Sequence, residues 1–353
     1  MTLDALGFDA WFQNQQAVLG RPECSPVRVT AVDRDRYLVR NASGEAPAEL
    51  AGSFRFAAGD SLGFPCVGDW ALAQVVNAGR LAIVCAVLPR KSLLRRKTPY
   101  RTIDYQAIAA NVDVAFLVQS CDADFNLRRL ERYLVMVLEA NIRPVMLLTK
   151  SDLVPPDALR DLQAQVRAAN NPCEVIGVSS QTGDGLDDLR RMLLPGMTYC
   201  LLGSSGVGKT TILNRLIGQE TFATGAVRPY DGKGRHVTAR RQLTVLETGA
   251  MLIDTPGMRE LGALGVSDGI EAGFADVVGL AAQCRFRDCT HTQEPGCALR
   301  AAVERGELDP DRYHSYLKLM RESELLDASY AERRRRDREF GRWIHAATKR
   351  RSK

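Results

Sequence analysis

The stretch Gly203-Ser204-Ser205-Gly206-Val207-Gly208-Lys209-Thr210 matches the phosphate-loop pattern G-x-x-x-x-G-K-[ST] at every fixed position. It follows an apolar run, "TYCLLG", and opens a helical pattern, "TTILNRLIG". Strand, glycine-rich turn and helix in that order belong in a sheet covered by helices. The glycines let backbone N–H groups turn inward around phosphates, and the positive end of the helix faces the same anion. Lys209 supplies charge at the β/γ oxygens, and the Thr210 hydroxyl is placed to ligate Mg²⁺. Residues 203–211, Thr211 included, are the expected phosphate contacts.

Downstream, "LIDTPG" puts Asp254 at a strand end and Gly257 three residues on. An aspartate there can hold the Mg²⁺ shell, and the glycine N–H can sense the γ-phosphate. Between loop and strand lies "GKGRHVTARRQL", residues 232–243, in which Thr238 is the expected third Mg²⁺ ligand.

A base reader stands upstream instead of downstream. Thr149-Lys150-Ser151-Asp152 closes the strand-like run "PVMLLTK". A carboxylate accepts two hydrogen bonds side by side, which matches the N1–H and 2-amino group of guanine and not adenine. Asp152 is therefore the expected reader, and the Lys150 stem covers the base. The usual first residue of this motif is asparagine; Thr149 keeps a hydroxyl but no amide. Ser179-Ser180-Gln181 follows the next strand, where a second base-binding turn belongs. The order base reader, base turn, phosphate loop, switch I, switch II predicts a circularly permuted GTPase sheet, which preserves its contacts when the chain break moves.

The rest of the chain divides around this unit. Residues 26–89 read as short strands with turn punctuation ("VRVTAV", "YLVR", "DWALAQVV", "RLAIVCAVL"), the pattern of a small β-barrel. An acid-free stretch, 81–103, carries Arg90, Lys91, Arg95, Arg96, Lys97 and Arg101, and a second basic cluster ends the chain. The net charge of +5 resides wholly in that last cluster. Such clusters fit phosphate backbones or serve as solvated linker and tail. The absence of a long apolar run and of a basic leader predicts a cytoplasmic protein with no membrane partner.

Cys284-x4-Cys289-x-His291-x5-Cys297 gathers three thiolates and an imidazole within fourteen residues. Four soft ligands suit one tetrahedral, structural Zn²⁺ with no open position. Pro295-Gly296 supplies the turn that returns Cys297 to the metal. Of the other six cysteines, Cys85 and Cys200 lie in strand-like runs and are expected to be inert core thiols. Helical segments are expected near 298–306 and 310–339.

Together with "VGDW", "IAANVDVAFLV", "DFNLRRLERYL", "GRHVT", "CRFRDCTHTQEPGC" and "AVERGELDPDRYHSYLKL", these features resemble the ribosome small-subunit-dependent GTPase A family over nearly the whole chain. The resemblance implies an OB-type barrel, a permuted GTPase domain and a zinc-binding helical domain. It also implies GTP hydrolysis stimulated by the small ribosomal subunit, contact with its rRNA, and a role in its late maturation. The expected division is a tail, 1–25; an OB-fold, 26–92; a basic linker, 93–103; the GTPase domain, 104–265; and a zinc-binding and helical domain, 266–353. A monomer is expected. In switch I the family has a run of threonines where this chain has Val237-Thr238-Ala239.

Met258 occupies the position where many small GTPases place a water-orienting glutamine. Slow intrinsic hydrolysis follows, with the site completed by a partner. His236 is the nearest polar candidate: it either positions the water or contacts RNA. Two other functions stay open, an RNA-docking module that uses GTP as a structural ligand and a permuted GTPase of the large subunit.

Overall fold

A computed structural model of the chain describes residues 1–33, 36–58, 61–97, 105–169, 173–218, 241–254, 266–324 and 332. After helix α1 (Ala10–Leu19) come β1 (Ser25–Asp33), β2 (Arg36–Asn41), β3 (Gly44–Leu50), α2 (Gly52–Ala57), β4 (Trp70–Val76) and β5 (Leu81–Val87). Neighbours run β1-β2-β3-β5-β4, and β4 pairs back on β1, so the five strands close into a barrel. The β3–β5 pair is parallel and the other pairs antiparallel, giving the OB-type arrangement. Closure removes sheet edges, and its interior is filled by small and β-branched side chains such as Val27, Val29, Ala71, Ala73 and Val84.

Next follow β6 (Leu93–Lys97), β7 (Tyr105–Ala110), β8 (Val114–Ser120), α3 (Leu127–Glu139), β9 (Arg143–Thr149), α4 (Pro156–Ala169), β10 (Glu174–Val178), α5 (Leu186–Met192), β11 (Thr198–Gly203), α6 (Lys209–Ile217), β12 (Arg241–Val245) and β13 (Met251–Asp254). The sheet order β10-β9-β8-β11-β13-β12 puts the phosphate-loop strand β11 between the upstream strand β8 and the downstream strand β13. All neighbours are parallel except β12–β13. Every residue of β8 is buried because helices cover both faces. Its alternation sends Ala115 and Leu117 to one core and Val114, Phe116 and Val118 to the other.

The barrel does not hang from a linker. β1 pairs β12 through Ala31↔Gln242 and Val32↔Arg241, so barrel and GTPase strands form one hydrogen-bonded run. The first 25 residues, expected as a tail, carry α1, capped by Asp9, and bury Leu6, Phe8 and Phe12 against Trp70. Part of the expected basic linker is β6, antiparallel to β7. Its arginines find partners there: Arg96 bonds Gln106, and Arg95 lies over the Tyr105 ring.

The C-terminal part comprises α7 (Ser267–Gly273), α8 (Ala275–Ala281), α9 (Ala298–Glu304) and a helical stretch over 310–324. They share an apolar cluster of Val266, Ile270, Phe274, Leu299, Tyr316 and Leu319, which also takes in Val135 of α3. Neither α7 nor α8 was expected from sequence. Among the described residues no helix is long and apolar enough to cross a membrane.

Candidate nucleotide site and metal cluster

Gly206 and Gly208 hold the phosphate loop in left-handed conformations, φ 83° and 95°, where a side chain would be strained. Gly208 caps α6, so the first N–H groups of that helix face the loop. Lys209 folds back over the loop, and its Nζ donates to the carbonyls of Gly203 (2.8 Å) and Ser204 (2.5 Å). Val207 is buried in the core beneath α6, which anchors the turn.

The base-reading turn lies against this loop. The buried Thr149 hydroxyl donates to the Val207 carbonyl at 2.5 Å, fifty-eight positions away in sequence. Lys150 follows with φ 55°, an uncommon conformation for a residue with a side chain. Its Nζ pairs with Asp122 at 2.8 Å. Burial alone would raise the Asp122 carboxyl, but hydrogen bonds from Lys150, Ser120 and the Asp124 N–H hold it below its ordinary value.

Ser151 and Asp152 begin a single 3₁₀ turn, Ser151–Leu153. The Ser179 hydroxyl donates to Asp152 Oδ1 at 2.5 Å and accepts the N–H groups of Gln181 and Thr182, each at 3.1 Å. The second base turn thus supports the reader through a fully buried serine, while Ser180 and Gln181 lie toward its tip. Asp254 ends β13, and its backbone registers with Leu201 of β11, two positions before Gly203. Its side chain lies outside the described residues, as do His236, Thr238, Gly257 and Met258. Asp122 was missed in the sequence; its one signal is the polar turn "SCDAD" directly after β8.

In the C-terminal cluster the ligand atoms of Cys284, Cys289, His291 and Cys297 all lie within 4.8 Å of one another. Nδ1 of His291 is 3.5 Å from the Cys284 sulfur and 3.7 Å from that of Cys297. A tetrahedron with Zn–S bonds of about 2.3 Å requires ligand separations of about 3.5–3.8 Å. The four residues therefore fit a metal ion. The Ala298 N–H donates to the Cys284 sulfur at 3.3 Å, a contact that favours a thiolate. The Glu294 carboxylate accepts from the Thr290 hydroxyl and from the N–H groups of Thr290, Thr292 and Gln293, pinning the loop around His291. By contrast Cys200 is sealed in the sheet, and burial pushes its thiol up to about 12.

Residues 87–264 match the family model described as RsgA GTPase. The chain belongs to this family. The Small ribosomal subunit biogenesis GTPase RsgA of Opitutus terrae is 41% identical over 343 residues, covering 95% of this chain and 92% of its own length. The crystal structure of YjeQ from Thermotoga maritima superposes with a TM-score of 0.61 at 26% identity, covering 85% of this chain and 98% of that one. YloQ, described as a circularly permuted GTPase, gives a TM-score of 0.58 at 26% identity over 86% of this chain and 96% of its own. Like other RsgA GTPases, this chain carries a GTP-hydrolase domain. The strand order around β11 agrees with that permuted architecture.

Proposed function

We propose that this protein is a GTP-driven assembly factor for the small ribosomal subunit. It hydrolyses GTP to GDP and phosphate when bound to the maturing subunit and leaves on hydrolysis. The observation that carries this reading is the Thr149–Val207 contact, which joins base reader and phosphate loop in a chain whose relatives are small-subunit biogenesis GTPases.

In this reading Asp152 accepts the guanine N1–H and 2-amino group, with Thr149, Lys150, Ser151, Ser179, Ser180 and Gln181 shaping the base site. Residues 203–211 and Gly257 cradle the phosphates. Thr210, Thr238 and Asp254 would hold Mg²⁺, which spreads the charge of the β- and γ-oxygens. The backbone pairing of Asp254 beside the phosphate-loop strand suits that placement. Lys209, whose Nζ lies at the loop carbonyls of Gly203 and Ser204, supplies charge at the β/γ oxygens. His236 completes the site by orienting the attacking water once the subunit orders its loop.

Cys284, Cys289, His291 and Cys297 would hold one structural Zn²⁺, a choice favoured by three thiolates and one imidazole. The barrel and the basic segments take the rRNA. The OB-fold runs over 26–92, the GTPase domain over 104–265 and the metal-bearing domain over 266–353. Phe8 and Phe12 of the first 25 residues pack on Trp70 of the barrel, and β6 of the connecting segment 93–103 pairs β7. The protein works in the cytoplasm as a monomer.

GTP turnover should be measured alone, with purified small subunits, and with large subunits. Stimulation by small subunits only is expected. Unchanged turnover with tight, GTP-dependent subunit binding would leave a binding-only module; stimulation by large subunits would move the protein to the other particle.

A further inference from the structure

Helix α3 touches the phosphate loop on one side and the metal-bearing domain on the other. Arg129, in its first turn, donates through Nη1 to the Ser204 hydroxyl at 2.7 Å. Asp124 steadies the same guanidinium through both carboxylate oxygens, at 2.7 and 3.1 Å. Tyr133, one turn on, interacts with the Ser204 side chain as well. Ser204 also offers its carbonyl to Lys209, so Arg129 reaches the phosphate-binding lysine through a single residue.

The other side of α3 is bound just as firmly. Glu131, fully buried, accepts from Arg128 at 2.6 Å and from Arg312 of the C-terminal part at 2.8 Å. Arg128 also pairs with Asp309, and Arg132 with Glu322 through two bonds of 2.7 and 3.1 Å. Arg312 continues to Asp276 on α8. Near the C-terminal end of α3, Glu139 accepts the Gly269 N–H at 2.9 Å. A Cβ at Gly269 would come within 2.1 Å of the Val135 carbonyl, so α7 sits directly on α3.

We propose that Arg129 is a positioning residue for the phosphate loop and that α3 couples nucleotide binding to the metal-bearing domain. Ser204 meets Lys209 through its carbonyl and Arg129 through its hydroxyl, so phosphate held by the loop bears on Arg129 through this one residue. The helix passes that effect to Arg312, Asp309 and Glu322 through an ion-pair network with discrete partners. This rests on the phosphate-binding role of residues 203–211 and reaches the C-terminal part without passing through residues 255–265.

The test uses the full-length, metal-loaded protein with Arg129→Gln and Arg129→Lys. Affinities for GDP and a non-hydrolysable GTP analogue are measured with hydrogen exchange over 267–281 and 298–324. In wild type, exchange there should differ between nucleotide-bound and nucleotide-free protein. Arg129→Gln should weaken the GTP analogue about three- to tenfold, the loss of one charge-assisted hydrogen bond. It should also erase most of the exchange difference, with metal content unchanged. Arg129→Lys should recover part of both. If Arg129→Gln does not fold, Ser204→Ala removes the same contact from the other side. Wild-type affinity in these variants, or an intact exchange difference, overturns the proposal. Wild type that binds no guanine nucleotide would overturn the functional reading instead.

Discussion

The Thr149 hydroxyl donates to the Val207 carbonyl at 2.5 Å, so the residue that replaces the motif's usual asparagine bridges base turn and phosphate loop directly. A two-carbon branch with one hydroxyl fills this buried site, where only 2% of Thr149 is exposed. Thr149→Val keeps the shape and leaves the Val207 carbonyl unpaired. It should cost about 1–2 kcal/mol of stability and weaken GTP by about tenfold, read by urea melts and fluorescent-nucleotide titration. Thr149→Asn restores the amide but must make room for it, and is expected not to tighten GTP.

Asp152 receives the Ser179 hydroxyl at 2.5 Å, which holds the carboxylate in one orientation. Asp152→Asn exchanges an acceptor for a donor. GTP affinity should fall about a hundredfold or more, while xanthosine triphosphate, whose 2-oxo group accepts a hydrogen bond, should gain. Competition binding with the two nucleotides checks the reversal.

The Lys150–Asp122 pair gives a pH signature. The Asp122 carboxyl lies below its unfolded value, so its contribution is present above about pH 4 and is lost as pH falls further. The pair is about one-third exposed, which limits its worth to about 0.5 kcal/mol. The stability difference between wild type and Asp122→Asn should hold steady from about pH 8 to pH 5 and shrink below about pH 4. Urea midpoints across that range decide it.

Removing the metal should loosen the C-terminal part first. Cys297 is both a cluster member and a buried neighbour of Leu299 and Tyr316. Cys297→Ser should abolish stoichiometric zinc and lower the first thermal transition, with nucleotide affinity reduced far less. Metal analysis and calorimetry would show it; full zinc retention would remove this residue from the ligand set.

Arg28 links the barrel to the GTPase sheet. Fully buried, it donates to the carbonyls of Leu6 (2.8 Å) and Asn111 (3.2 Å) and to the Thr198 hydroxyl (2.9 Å), and it lies over the Trp70 ring. Burial lowers its guanidinium to about 10, still protonated at neutral pH. Arg28→Ala would orphan three acceptors and cost about 3 kcal/mol or more in denaturant unfolding.

Much of the candidate site was legible because ligand chemistry imposes short spacings. Phosphates demand glycines and a lysine at fixed positions, guanine demands a carboxylate, and a tetrahedral metal demands four soft atoms near one another. Elements outside those rules were harder to see. Strand β3 hides behind Pro47, which lies just beyond Ala48–Leu50, the part that also pairs β5. Strand β6 reads as a basic linker because its arginines are satisfied by residues of β7, absent from its own neighbourhood.

The sequence by itself determined the candidate nucleotide and metal stations, their permuted order and the barrel's existence, since each follows from residues close together in the chain. Only the tertiary structure decided that β1 joins β12, that Arg28 rivets three segments, and that α3 grips both the phosphate loop and the domain that carries the Cys/His cluster. Those links bring together residues as far apart as Arg28 and Thr198 or Glu131 and Arg312. Their energy comes from desolvated pairing, which no local spacing encodes.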